Sequence, residues 1–121
     1  MQGYNNFCSA FNNLRDIYDY SEPYNVVVET GIIGLYRICF DKSCKMMKEI
    51  LEEHGFKESA AGSPKTILKT AYQAEMIHNE QVWLKALSAR NNVAHAYNHK
   101  IAIEIVNQCK NEFYNMFREL K

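Results

Sequence analysis

The sequence predicts an all-α protein, an antiparallel up-and-down four-helix bundle with one extra short helix. Three observations predict it. Apolar residues recur at intervals of three and four along almost the whole chain, the period of one helix face. Only two prolines interrupt 121 residues, and proline is the strongest local bar to helix. Strand-like alternation of apolar and polar residues finds little support.

The elements follow in order. Phe7, Phe11, Leu14 and Tyr18 form the stripe of a first helix, which ends at the turn-prone Ser21-Glu22-Pro23 because proline disfavours helix in the residue before it. From about Tyr24 to His54 the positions Val28, Ile32, Leu35, Cys39, Met46 and Ile50 keep helical spacing, and Gly55 supplies the stop. Such a helix spans about 40 Å, the height of a bundle. Gly31 and Gly34 lie inside it, where they suggest close helix packing or a mild kink. Glu58 to Ser63 read as a small, flexible linker. Ser63-Pro64 then gives an N-cap with proline in the first helical position, opening a helix through Ala71 and Met76. Asn79-Glu80 caps a helix that turns Val82, Trp83, Ala86 and Leu87 to the core, and Asn98 caps a last helix striped with Ile101, Ile105, Cys109, Phe113 and Phe117. Trp83, Tyr72 and Tyr36 could stack on a base, but aromatics at helical spacing are more often core, and Trp83 is expected there.

Length and composition narrow the class. We read residues 1–121 as a single domain, since a chain of this length buries a core without covalent staples. Hydrophobic residues at 47% and charged residues at 23% exclude a disordered chain. No run reaches membrane-spanning length and no signal segment opens the chain, so a cytoplasmic protein away from membranes is expected. The four cysteines lack ligand spacing and read as buried thiols in a reducing compartment, with no metal and no cofactor expected.

The formal net charge is zero, yet its distribution is uneven. Between Glu80 and Glu104 there is no acidic residue, while Lys85, Arg90 and Lys100 are cationic and His95 and His99 add two imidazoles. Within that stretch, Arg90-Asn91-Asn92-Val93-Ala94-His95-Ala96-Tyr97 gathers a guanidinium, two amides, an imidazole and a phenol between two helical patterns. In one unbroken helix Arg90 and His95 diverge by about 140° and cannot grip one phosphate. Either the backbone breaks near Asn91-Asn92 or two copies of the segment meet across a dimer axis; we expect both. An arginine forks onto two phosphate oxygens, and a histidine can take the proton of a ribose 2′-hydroxyl or give one to a leaving 5′-oxygen, which together cleave RNA without metal to a cyclic phosphate. The plain alternative is an arginine complementing a helix dipole and a histidine beside a cap.

The string Arg90-Asn91-x3-His95-x-Tyr97 resembles the R-x4-H-x-Y signature of the HEPN superfamily. With Gly62-Ser63-Pro64-Lys65 and Trp83-Leu84 upstream, the chain resembles the nucleotidyltransferase substrate-binding branch of that superfamily along essentially its whole length. The resemblance implies a helical-bundle homodimer, or a higher oligomer built from dimers, working with a cognate minimal nucleotidyltransferase. In related toxin-antitoxin pairs the HEPN protein is a ribonuclease toxin. Carried over by position, Arg90 and His95 are the catalytic pair, Asn91 assists them, and Tyr97 matches a tyrosine that the antitoxin modifies with AMP. The alternative it implies is a non-catalytic subunit that binds RNA or nucleotide through Arg90, Asn91, His95, His99 and Lys100. The second helix departs from the branch pattern: Arg37 stands where a glutamate is usual, and Cys44 where a large ring is.

Overall fold

A computed structural model of the chain, describing residues 2–56 and 62–121, contains helix and no strand among those residues. The elements are α1 (Gln2–Leu14), α2 (Val26–Glu53), α3 (Pro64–Gln73), α4 (Glu80–Asn92), α5 (His99–Gln108) and α6 (Tyr114–Leu120). A π turn, Cys109–Phe113, joins α5 to α6, so the chain forms the five rods expected. Most of the linker expected over Glu58 to Ser63 falls outside the described residues.

Local chemistry sets the starts. The Asn25 Oδ1 accepts from the Val28 N–H at 2.8 Å, which begins α2 at Val26 and not at Tyr24. Ser63 accepts from the Thr66 N–H with Pro64 in the first turn. Asn79 caps α4, and Asn98 accepts from the Lys100 N–H. The caps at Ser63, Asn79 and Asn98 stand where the sequence puts them.

The stops are less legible. At the end of α2 the Gly55 N–H donates to Glu52 and the Phe56 N–H to Leu51, and Gly55 takes φ 89°, a paired closure that needs a left-handed residue. The same closure ends α3 at Gln73, short of the expected Met76: Glu75 donates to Tyr72 and Met76 to Ala71. Here the left-handed residue is Glu75, at φ 62°, and no glycine announces it. A residue with a Cβ pays about 1–2 kcal/mol for that conformation. Glu75→Gly is therefore expected to stabilise the protein by about 0.5–1 kcal/mol after the entropy glycine adds to the unfolded chain. A thermal midpoint that falls in this variant contradicts the argument.

Two stripes change period. After Leu14 the chain tightens into a 3-10 turn, Arg15–Asp19, and the three-residue repeat buries Ile17 while Tyr18 stays on the surface. The final stripe, Ile101 to Phe117 in steps of four, drifts about 40° per step in an ideal helix. One extra residue in the π turn brings the stripe back, and Ile105, Cys109, Phe113 and Phe117 are all buried.

The core is one cluster drawn from every rod. At its centre the Phe117 ring meets Phe7 of α1, Tyr36 of α2 and Trp83 of α4, with centroids at 6.3, 6.2 and 5.6 Å. Tyr36 and Trp83 are buried as expected, whereas Tyr72 is exposed. The Tyr36 hydroxyl donates to the Ala86 carbonyl; burial pushes its pKa far above the ordinary phenol value, so it remains a donor that ties α2 to α4. Burial likewise pushes the Cys44 thiol up to about 12 and raises Cys39 and Cys109, which keeps these three as packed thiols. Gly31 and Gly34 meet no other helix: a Cβ built on either finds nothing within 4 Å, and α2 runs unbroken past both. Among the described residues no helix is long and apolar enough to cross a membrane, and no group of three His, Cys, Asp or Glu is placed to hold a metal ion.

Candidate functional site

The segment expected to carry function is built in three pieces. α4 ends at Asn92, close to the break expected near Asn91-Asn92. A 3-10 turn, Val93–His95, follows. The Asn98 N–H then donates to the His95 carbonyl, and Asn98 caps α5 with His99 as its first residue. Three successive geometries thus turn the chain around within a few residues.

Arg90 lies in the last turn of α4, and its guanidinium reaches Asp41 on α2. Nε donates to Oδ1 at 2.8 Å and an Nη to Oδ2 at 3.1 Å, the two-pronged geometry that planar guanidinium favours. These hydrogen bonds raise the Arg90 pKa above its ordinary value. Both side chains are partly exposed, so the pair contributes at most about 1 kcal/mol; its consequence is a fixed direction for Arg90. His95 is exposed, and its imidazole has no hydrogen-bond partner among the described residues. Among the described residues the Arg90 guanidinium pairs with Asp41 and makes no hydrogen bond to His95. Asn91 and Lys100 are also exposed.

The other two expected residues do come together. Tyr97 and His99 line a groove of about 510 Å³ between α2 and the 93–99 segment, whose far wall is Val26, Glu29, Ile33 and Arg37. That volume lies within the range of about 300–1,000 Å³ usual for small-ligand sites. Tyr97 is 89% exposed at the rim. His99 Nδ1 lies 3.1 Å from Glu29 Oε1 and 2.9 Å from Oε2, and only the first contact has hydrogen-bond geometry. Glu29 is 4% exposed, and its Oε2 is a buried acceptor without a partner. A carboxylate only accepts, so Nδ1 carries the hydrogen and Nε2 is left for other partners.

A family model described as nucleotidyltransferase substrate binding protein like matches residues 2–121. The chain belongs to this family. No curated protein matches it. The family's description associates its members with a nucleotidyltransferase and its substrate, and in this substrate-binding-like protein the features suited to a ligand sit on α2 as much as on the 90–99 segment.

Glu29, Arg37 and Asp41 escape a search for reactive motifs. They are joined by Ile33 in steps of four along α2, a stripe that drifts about 40° per step round the helix. Two of them carry partners from the 90–99 segment: Glu29 takes His99 and Asp41 takes Arg90. The drift turns Asp41 about 120° away from Glu29, which is why Arg90 lies outside the groove that His99 lines. One signal was readable: Glu29 is a lone charge in the apolar run Val26-Val27-Val28-Glu29-Thr30-Gly31-Ile32-Ile33, and a buried carboxylate calls for a cationic partner.

Proposed function

We propose that this chain is the partner of a minimal nucleotidyltransferase and holds a nucleotide for it in the groove beside Tyr97. The observation that carries this reading is the groove itself, a ligand-sized space with an apolar wall, a buried carboxylate and a guanidinium converging on it. Gly34 also lines it, and a Cβ there meets nothing within 4 Å. Gly34→Leu is therefore expected to fold at least as well as the wild type, since leucine is the better helix former by about 0.8 kcal/mol, while filling the space a ligand needs. Calorimetry with ATP should give binding to the wild type and none to Gly34→Leu. No ATP binding by the wild type, alone and with the nucleotidyltransferase present, ends the reading.

A second reading is the metal-independent ribonuclease of a toxin-antitoxin pair, with Arg90 and His95 as its catalytic pair, Asn91 assisting, and Tyr97 as the acceptor of AMP. Specific observations favour it: Arg90 is held in one direction by Asp41, while His95 and Tyr97 stand open to solvent. In this reading a second copy of the chain completes the site. The exposed Val26 and Val27, between the nucleotide groove and a second apolar groove of about 440 Å³ on the other flank of α2, are the surface such a copy covers.

A further inference from the structure

We infer that Arg37 is the phosphate-binding residue of the groove, and that Glu29 positions His99 as the second group facing the same ligand, which makes the ligand a phosphorylated nucleoside.

The inference rests on the reading of the groove as a nucleotide site and starts from charge. Four charged or titratable groups of α2 and the 90–99 segment meet, and two pairs form, Glu29 with His99 and Asp41 with Arg90. Arg37 lies between the two carboxylates, one helical turn from Asp41, and has no ion-pair or hydrogen-bond partner among the described residues. It is exposed and lines the groove. An unpaired guanidinium against apolar walls attracts an anion, and its planar fork suits two phosphate oxygens.

The rest of the groove identifies what the anion is attached to. Val26, Ile33 and Val93 offer an apolar wall, and Tyr97 stands at the rim, surfaces that accept a flat base. At the end away from Arg37, Glu29 and His99 supply hydrogen-bonding groups. Glu29 lies eight residues from Arg37, about 12 Å along the helix axis, so a ligand touching both ends must be elongated and polar at each end with an apolar middle. A nucleotide has that form; inorganic phosphate or an apolar metabolite does not. Glu29 acts through His99: its buried carboxylate fixes the ring by Nδ1 and leaves Nε2 for the ligand.

The test is calorimetry of the full chain with ATP, adenosine and a short single-stranded RNA, on wild type, Arg37→Gln, Glu29→Gln and, as a control for lost surface charge, Arg118→Gln on α6. The wild type is expected to bind ATP at least tenfold more tightly than adenosine. Arg37→Gln should erase that preference while adenosine binding stays unchanged, and Arg118→Gln should leave the preference intact. Glu29→Gln should weaken ATP and adenosine alike, and in proton NMR the His99 ring resonances should shift and broaden as the ring loses its anchor. An RNA strand bound more tightly than ATP, with the same dependence on Arg37, supports the phosphate contact and assigns it to RNA. Equal binding of ATP and adenosine by the wild type, or a preference that survives Arg37→Gln or disappears in Arg118→Gln, overturns the inference and leaves the groove reading in place. If the wild type binds none of the three ligands, both fall.

Discussion

Phe117→Ala is expected to destabilise the protein by about 3–5 kcal/mol, the range for removing a buried ring from a core that cannot fully collapse. Phe117 is fully buried and touches rings from three other rods, Phe7, Tyr36 and Trp83, so the cavity opens where four helices meet. Against a total stability of about 5–15 kcal/mol, that is a large share. The effect reaches the site, because Phe117 backs Tyr36, whose hydroxyl holds the Ala86 carbonyl one turn before Arg90. Urea unfolding should show a lowered midpoint with an unchanged slope, and Phe117→Leu should lose much less. A loss below about 1 kcal/mol in the alanine variant means that these rods do not share one packed centre.

His95→Ala is expected to lower RNA cleavage by about 10²–10⁴-fold if the ribonuclease reading holds, the usual contribution of a positioned proton-transfer group. His95 is exposed at the end of a 3-10 turn and its imidazole has no partner among the described residues, so its removal leaves the fold intact and the loss is chemical. Growth arrest on expression of the chain alone should be relieved in the same variant. Arg90→Ala should lose cleavage as well. Because Arg90 is held by Asp41 and makes no hydrogen bond to His95 within one chain, mixing the two inactive variants should restore part of the activity if the site is shared between copies. Equal harmlessness of wild type and His95→Ala, with no RNA cut by either, removes the ribonuclease reading and leaves the nucleotide-binding one.

The helices were legible because their causes are local. Ser63-Pro64, Asn79 and Asn98 mark starts through hydrogen bonds to residues two or three positions on. Gly55 marks a stop through its own backbone freedom. Where the cause was not local the reading slipped. Glu75 takes a left-handed conformation with no glycine to announce it, and the 3-10 turn after Leu14 exchanges Tyr18 for Ile17 in the core. The acid-free stretch from Glu80 to Glu104 read as a positive patch. In the folded chain Lys85 meets Glu112, Arg90 meets Asp41 and His99 meets Glu29.

The order of amino acids determined by itself that the chain is helical, where its rods begin, and that its polar groups gather between residues 90 and 100. Each of these follows from hydrogen bonds and apolar spacing within a few residues. Only the tertiary structure decided which charges remain unpaired. Asp41 lies 49 positions from Arg90 and Glu29 lies 70 from His99, and Coulomb attraction acts across space without regard to position in the chain. That pairing left Arg37 without a partner in the groove, a fact no local pattern in α2 contains.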